Sequence, residues 1–127
     1  MKLIQFDVSQ NSVTQNDLLA GILFGGDCIG YEKIAVGSAA PVGLDLLTLG
    51  KGLGARKALV VIEADASSTN LDRVVRFRED GTNPNATDGL PIPDNGKLEV
   101  SDLNLANFKM IGIEGGKNHT AQVLYYA

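Results

Sequence analysis

The sequence predicts an all-β fold, an antiparallel β-sandwich or jelly-roll-like domain of about six to eight strands, preceded by an N-terminal arm or short helix. Three observations predict it. Fifteen glycines are spread through 127 residues that are 44% hydrophobic but only 6% aromatic, so turns are frequent and the strands are filled by Leu, Val, Ile and Ala. Short apolar or alternating runs recur between clusters of Gly, Pro, Asn and Asp at the spacing of an antiparallel sandwich. Neither a βαβ alternation nor a solenoid or propeller period interrupts that rhythm.

Residues 1–30 read as an arm or loop segment and residues 31–127 as the sandwich. Lys2 to Val8 alternates weakly, as an edge strand does, and Ser9 to Asp17 has little to bury. Thr14-Gln15-Asn16-Asp17 before Leu18-Leu19-Ala20 has the spacing of a capping box, with an acceptor at the first position and a carboxylate three residues on. Two readings stay open there: a short helix to about Phe24, or an irregular loop burying Leu19, Ile22 and Phe24.

Tyr31 to Val36 reads as a strand, Gly37 to Gly43 around Pro41 as a connection, and Leu44 to Leu49 as a second short apolar run. Lys57 to Ala64 is the clearest strand. Its continuous apolar run predicts a central position with cover on both faces. In Arg73 to Arg78, Val75 and Phe77 point one way and Arg76 and Arg78 the other, so one face is wet. Glu79-Asp80-Gly81-Thr82-Asn83-Pro84 concentrates turn residues, and a loop is expected from Gly89 to Gly96. Lys97 to Val100, Phe108 to Glu114 and Thr120 to Tyr126 are the remaining strands. Gly115-Gly116-Lys117-Asn118 is expected to close the last two as a hairpin.

Bulk properties exclude several classes of function. One domain is the default at this length. A net charge of −4 and a pI near 4.8 oppose nucleic-acid binding, which uses a basic surface. No run reaches the roughly 18 apolar residues of a membrane span, since Leu18 to Phe24 ends at Gly25-Gly26. Cys28 is alone and the first residues lack a signal-peptide pattern, so synthesis and folding in a reducing cytoplasm are expected.

The residues that carry chemistry are few. Gly50-Lys51-Gly52-Leu53-Gly54-Ala55 fits the loose dinucleotide pattern, but that pattern needs a following helix N-terminus and here a β-rich run follows. His119 is the only histidine. It can serve a nucleophile only if the fold brings Cys28 or a distant serine to it, and otherwise Cys28 is a loop thiol. One Cys and one His cannot complete a zinc site. Glu79, Asp80, Asp88 and Asp94 offer oxygen ligands for a hard cation, against the competing reading that they form turns. Asn85-Ala86-Thr87 and Asn118-His119-Thr120 fit the glycosylation acceptor pattern, and in a cytoplasmic chain they stay unmodified. No catalytic residue, cofactor or metal ligand is therefore expected. Arg73, Arg76 and Arg78 are the candidate partner-binding residues, a basic stripe suited to an acidic protein surface. The alternative is a solvated strand face paired with Glu79, Glu99 or Glu114.

A longer pattern runs from Ala58-Leu59-Val60-Val61-Ile62-Glu63 through Val75-Arg76-Phe77-Arg78 and the turn Asp80-Gly81-Thr82-Asn83-Pro84 to Gly89, Phe108-Lys109-Met110-Ile111 and Tyr125-Tyr126. It resembles small β-sandwich virion proteins of tailed bacteriophages, the capsid decoration, cement or neck-associated subunits. The likeness covers about the last seventy residues and leaves Met1 to Leu53 unmatched, and Asn85 stands where threonine is expected. It implies a homo-oligomer that binds the major capsid protein or another shell protein and stabilises the particle, located in the virion after synthesis in the host cytoplasm. A neck, tail or fibre subunit is the structural alternative. A carbohydrate- or ligand-binding sandwich is a third reading, weakened by the lack of tryptophan for stacking on sugars, and a small hydrolase is a fourth that lacks a base.

Overall fold

Side chains that alternate in burial at every second residue sort the chain into two antiparallel sheets packed face to face. The structure, a computed structural model, describes residues 27–45 and 54–127. The expected strand over Lys2 to Val8, the polar stretch after it, the helix-or-loop segment to Phe24 and most of the Leu44 to Leu49 run lie outside the described residues.

Seven strands are present among the described residues: β1 (Cys28–Val36), β2 (Lys57–Glu63), β3 (Val75–Arg78), β4 (Leu90–Ile92), β5 (Lys97–Ser101), β6 (Lys109–Gly112) and β7 (His119–Tyr126). One sheet has the order β1-β7-β2-β5 and the other β4-β3-β6. A 3-10 turn, Asp102–Asn104, follows β5. No helix among the described residues is long and apolar enough to cross a membrane.

β7 is the clearest product of its sequence. His119, Ala121, Val123 and Tyr125 are buried, while Thr120, Gln122, Leu124 and Tyr126 face outward half-exposed. β2 repeats the pattern beside it, with Ala58, Val60 and Ile62 inside. Its internal position matches its apolar run, but the expected cover on both faces does not: Leu59 and Val61 stand on the outer face, half-buried only. From the second sheet Val75, Phe77, Ile92 and Met110 meet this core. Phe108 and Leu105, both outside the strands, are fully buried and fill its flank, with the Phe108 ring 5.8 Å from that of Phe77.

Three local expectations are corrected. β1 begins at Cys28, three residues before the alternation that starts at Tyr31, and its first rung is irregular between Cys28 and Gly30. The expected Gly89 to Gly96 loop contains β4, a short edge strand that tolerates Pro91 because only one of its edges is paired. Gly115 to Asn118 does not close a hairpin. β6 pairs with β3 and β7 pairs with β1 and β2, so this link carries the chain from one sheet to the other.

The Gly37 to Gly43 connection also crosses between sheets. Val42 N–H donates to Met110 O and Met110 N–H to Val42 O, each at 2.9 Å, and Gly112 N–H donates to Gly37 O at 2.8 Å. Gly112 allows this approach, since a Cβ there would lie 3.2 Å from the Gly37 carbonyl and 3.1 Å from the His119 ring.

Truncating Phe108 to Ala empties a fully buried site, and a loss of about 3–5 kcal/mol is expected in urea unfolding. Leu103, 87% exposed on the 3-10 turn, serves as the contrast, with Leu103→Ala shifting stability by about 0.5 kcal/mol or less.

Candidate functional site

The three arginines do not form a free stripe. Arg76 turns back onto the loop that follows β3, its Nε donating to Ala86 O at 3.0 Å and its Nη1 to Gly89 O at 2.8 Å. Gly89 makes room for this: its φ is +128°, and a Cβ would meet Phe77 O at 3.0 Å and the Arg76 Cβ at 3.2 Å. Arg78 grips Asp80 with both Nε and Nη2. Arg73 lies before the strand and is exposed. Neither strand arginine is paired with Glu79, Glu99 or Glu114, the partners expected for a solvated face; backbone carbonyls and Asp80 take those places.

Three of the four loop carboxylates are similarly spent on holding backbone or neighbouring side chains. Asp80 accepts from Thr82 N–H as well as from Arg78, and the Arg78 contact, then the Thr82 amide, hold its pKa at about 2. Asp88 accepts from Asn85 Nδ2, and Asp94 accepts from Ala64 N–H at 2.8 Å. These are turn anchors. Among the described residues no three Asp, Glu, His or Cys converge as metal ligands do.

The other motifs separate as well. Gly54 and Ala55 lead into β2 rather than a helix, which removes the N-terminal amides a pyrophosphate needs; residues 50–53 lie outside the described residues. Cys28 pairs with Tyr126 and His119 with Val36, at opposite ends of the β1–β7 ladder, roughly 26 Å apart at the rise of a strand. They cannot act on one substrate atom. His119 is buried, and its Nδ1 accepts from Asp65 N–H at 3.0 Å. In the neutral ring the proton is therefore on Nε2, which is buried with no hydrogen-bond partner among the described residues. Such a ring holds a loop in place and has no lone pair to offer a nucleophile.

Two polar networks escaped the residue pattern. At the His119 end, Asp65 accepts from Ser67 N–H, the Ser67 hydroxyl and Asn118 N–H, and the Ser67 and Asn118 amides bring its pKa down to about 2. Glu114 accepts from the Ser68 hydroxyl, Thr69 N–H and the Thr69 hydroxyl, which lowers its pKa too. Lys117 reaches Ser67 and Glu114. Together these groups fasten the β2–β3 loop to the β6–β7 link. In the interior, Tyr125 donates to Glu32, which also accepts from Asp45 N–H at 2.9 Å, and burial pushes the Tyr125 phenol above its ordinary pKa. The Asp-x-Ser spacing of Asp65 and Ser67 was the one available signal, as a side-chain-to-backbone turn; the Tyr125–Glu32 pair had none.

A further exposed feature among the described residues is the outer face of the four-stranded sheet. By register, Tyr31, Leu124, Leu59 and Glu99 form one row across it, and Lys33, Gln122, Val61 and Lys97 form the next. Tyr31 is 52% exposed. Its hydroxyl donates to Gln122, whose Nε2 donates to Glu63 at 3.1 Å. The face is mixed, with an apolar centre and charged positions around it.

Burial lowers the pKa of His119 from 6.5, against the opposing pull of Asp65, Glu114 and Asp94. The unfolded chain thus binds a proton below about pH 6.5 that the folded chain refuses, so stability is full above that value and falls as pH drops through it. A second loss follows below 3.8, as the depressed Asp65 and Asp80 protonate on the way to about 2. His119→Asn, which keeps an acceptor for Asp65 N–H, is expected to flatten the slope between about pH 7 and pH 5 in denaturant titrations; an unchanged slope assigns it elsewhere.

No protein-family model, curated protein or solved structure matches this chain.

Proposed function

We propose that this chain is a structural subunit of a tailed-bacteriophage particle, binding the capsid shell as a decoration or cement protein after synthesis in the host cytoplasm. One observation carries the reading. The residue pattern that resembles small virion proteins falls on the framework of the domain: β2, β3 with its Asp80–Pro84 turn, the Phe108 to Ile111 segment entering β6, and the end of β7. The likeness is thus to a scaffold rather than to a site. The disposition of the ionised groups supports the same reading. Arg76, Arg78, Asp65, Asp80, Asp94 and Glu114 each hold a loop or turn, and a rigid sandwich with its charges engaged this way suits binding by surface shape.

A subunit that binds only the assembled shell stabilises it by mass action, by about 2.7 kcal/mol per site at a hundredfold excess over Kd. Shells lacking the subunit, mixed with purified chain and heated, are expected to rupture at a higher temperature than undecorated controls, with the chain co-sedimenting in near-stoichiometric amount. Because Arg76 and Arg78 are committed within the fold, attachment should depend more on Arg73 among the three, and Arg73→Ala should weaken it most. Shells that bind no chain rule the cement role out; recovery of the chain in neck, tail or fibre fractions moves the proposal to those parts.

A further inference from the structure

We infer that the outer face of the four-stranded sheet is the interface of a twofold dimer, in which β2 and β5 stack in reverse on their own counterparts in a second copy. This goes beyond the shell reading and stands without it. The basis is a charge pattern that is complementary to its own reversal. Along β2 the outward residues are Lys57, Leu59, Val61 and Glu63, so the strand carries opposite charges at its ends and branched apolar side chains between them. Along β5 the outward charges are Lys97 and Glu99, opposite Val61 and Leu59.

A twofold axis in the plane of the interface, perpendicular to the strands and passing over the row of Glu32, Val123, Val60 and Leu98, exchanges the rows on either side. It sets Lys57 against the second copy's Glu63, Leu59 against Val61 and Lys97 against Glu99, each twice by symmetry. On β1 it lays the exposed Tyr31 against Lys33, a cation over an aromatic face. Reversing strand direction across the interface keeps the sheets in the aligned class of sheet packing. An axis along the strands would instead place Lys33 against Lys97, which is repulsive, so the pattern selects one symmetry. Four strands at about 4.8 Å and six residue steps at about 3.4 Å give a face about 19 Å by 20 Å. In plan that is about 380 Å² on each copy and about 760 Å² for the two, below the roughly 1,200 Å² of a standard specific interface, so the dimer is a weak one that should dissociate on dilution.

The test is sedimentation equilibrium of the full chain and of Lys97→Glu and Glu99→Lys, two changes at exposed positions whose folding is checked by thermal melting. The parent is expected to dimerise from micromolar to submillimolar concentration, and more weakly as salt rises. Each variant alone should associate about tenfold less tightly, because two like-charge contacts replace two opposite ones. Mixed together, the two variants should form a heterodimer of near-parental affinity. From a net charge of −4, Lys97→Glu goes to −6 and Glu99→Lys to −2, so overall attraction between unlike chains does not account for that rescue. A monomer at every concentration overturns the proposal, as does a dimer indifferent to both variants or a mixture that fails to associate.

Discussion

The position of β7 is the constraint from which the rest of the fold follows. This strand lies between β1 and β2, so the last strand is paired on one edge with the first described strand and on the other with the second. Its register is fixed by burial. A slip of one residue would turn His119, Ala121, Val123 and Tyr125 outward and drive Thr120, Gln122, Leu124 and Tyr126 into the core. Both neighbours lie far away along the chain, so β7 is held by long-range pairings of the kind that slow folding. The Tyr125–Glu32 contact, spanning 93 residues, reports that closure from inside the core.

The two ends of this ladder are built from different materials. Near Tyr125 the chain is tied by a phenol and a half-buried carboxylate. Near His119 it is tied by backbone amides held on Asp65, Glu114 and Asp94, with an imidazole wedged beneath them. In the second arrangement each carboxylate accepts hydrogen bonds from amides or hydroxyls, and Lys117 lies beside Glu114. Burial and the Asp65 amide that donates to Nδ1 keep His119 a neutral acceptor against the pull of these carboxylates, which is why the same ring is a structural fastener and a poor base.

The fold class was legible because its signal is local. Alternation in Val75 to Arg78, the last four residues of the expected Arg73 to Arg78 strand, and in Thr120 to Tyr126 survives in the structure, as does the Asp80–Pro84 turn. What failed was nonlocal or disguised. Pro91 and Pro93 hid β4, since proline argues against a strand unless one edge is known to be unpaired. Gly115-Gly116 looks the same whether the chain turns back on its own sheet or passes to the opposite one; only the partners of β6 and β7 distinguish these, and partners are not written in the link. Arg76 and Arg78 were rightly placed on the face opposite Val75 and Phe77, yet alternation cannot say that carbonyls of a later loop and Asp80 will occupy their guanidinium groups. A Leu-Val-Val-Ile run was read as covered on both sides because apolarity does not distinguish a buried face from an exposed one that serves another purpose.

The pairing of Ala127 N–H with Asp27 O at 2.9 Å has a mechanical meaning. β1 and β7 are antiparallel neighbours, and the described chain enters one and leaves the other at the same end of their ladder. Tension applied between residues 27 and 127 therefore acts on a single rung at a time, from Cys28 and Tyr126 toward Val36 and His119. The pair would unzip sequentially at low force, whereas attachment at opposite ends of the ladder would load all its hydrogen bonds in shear.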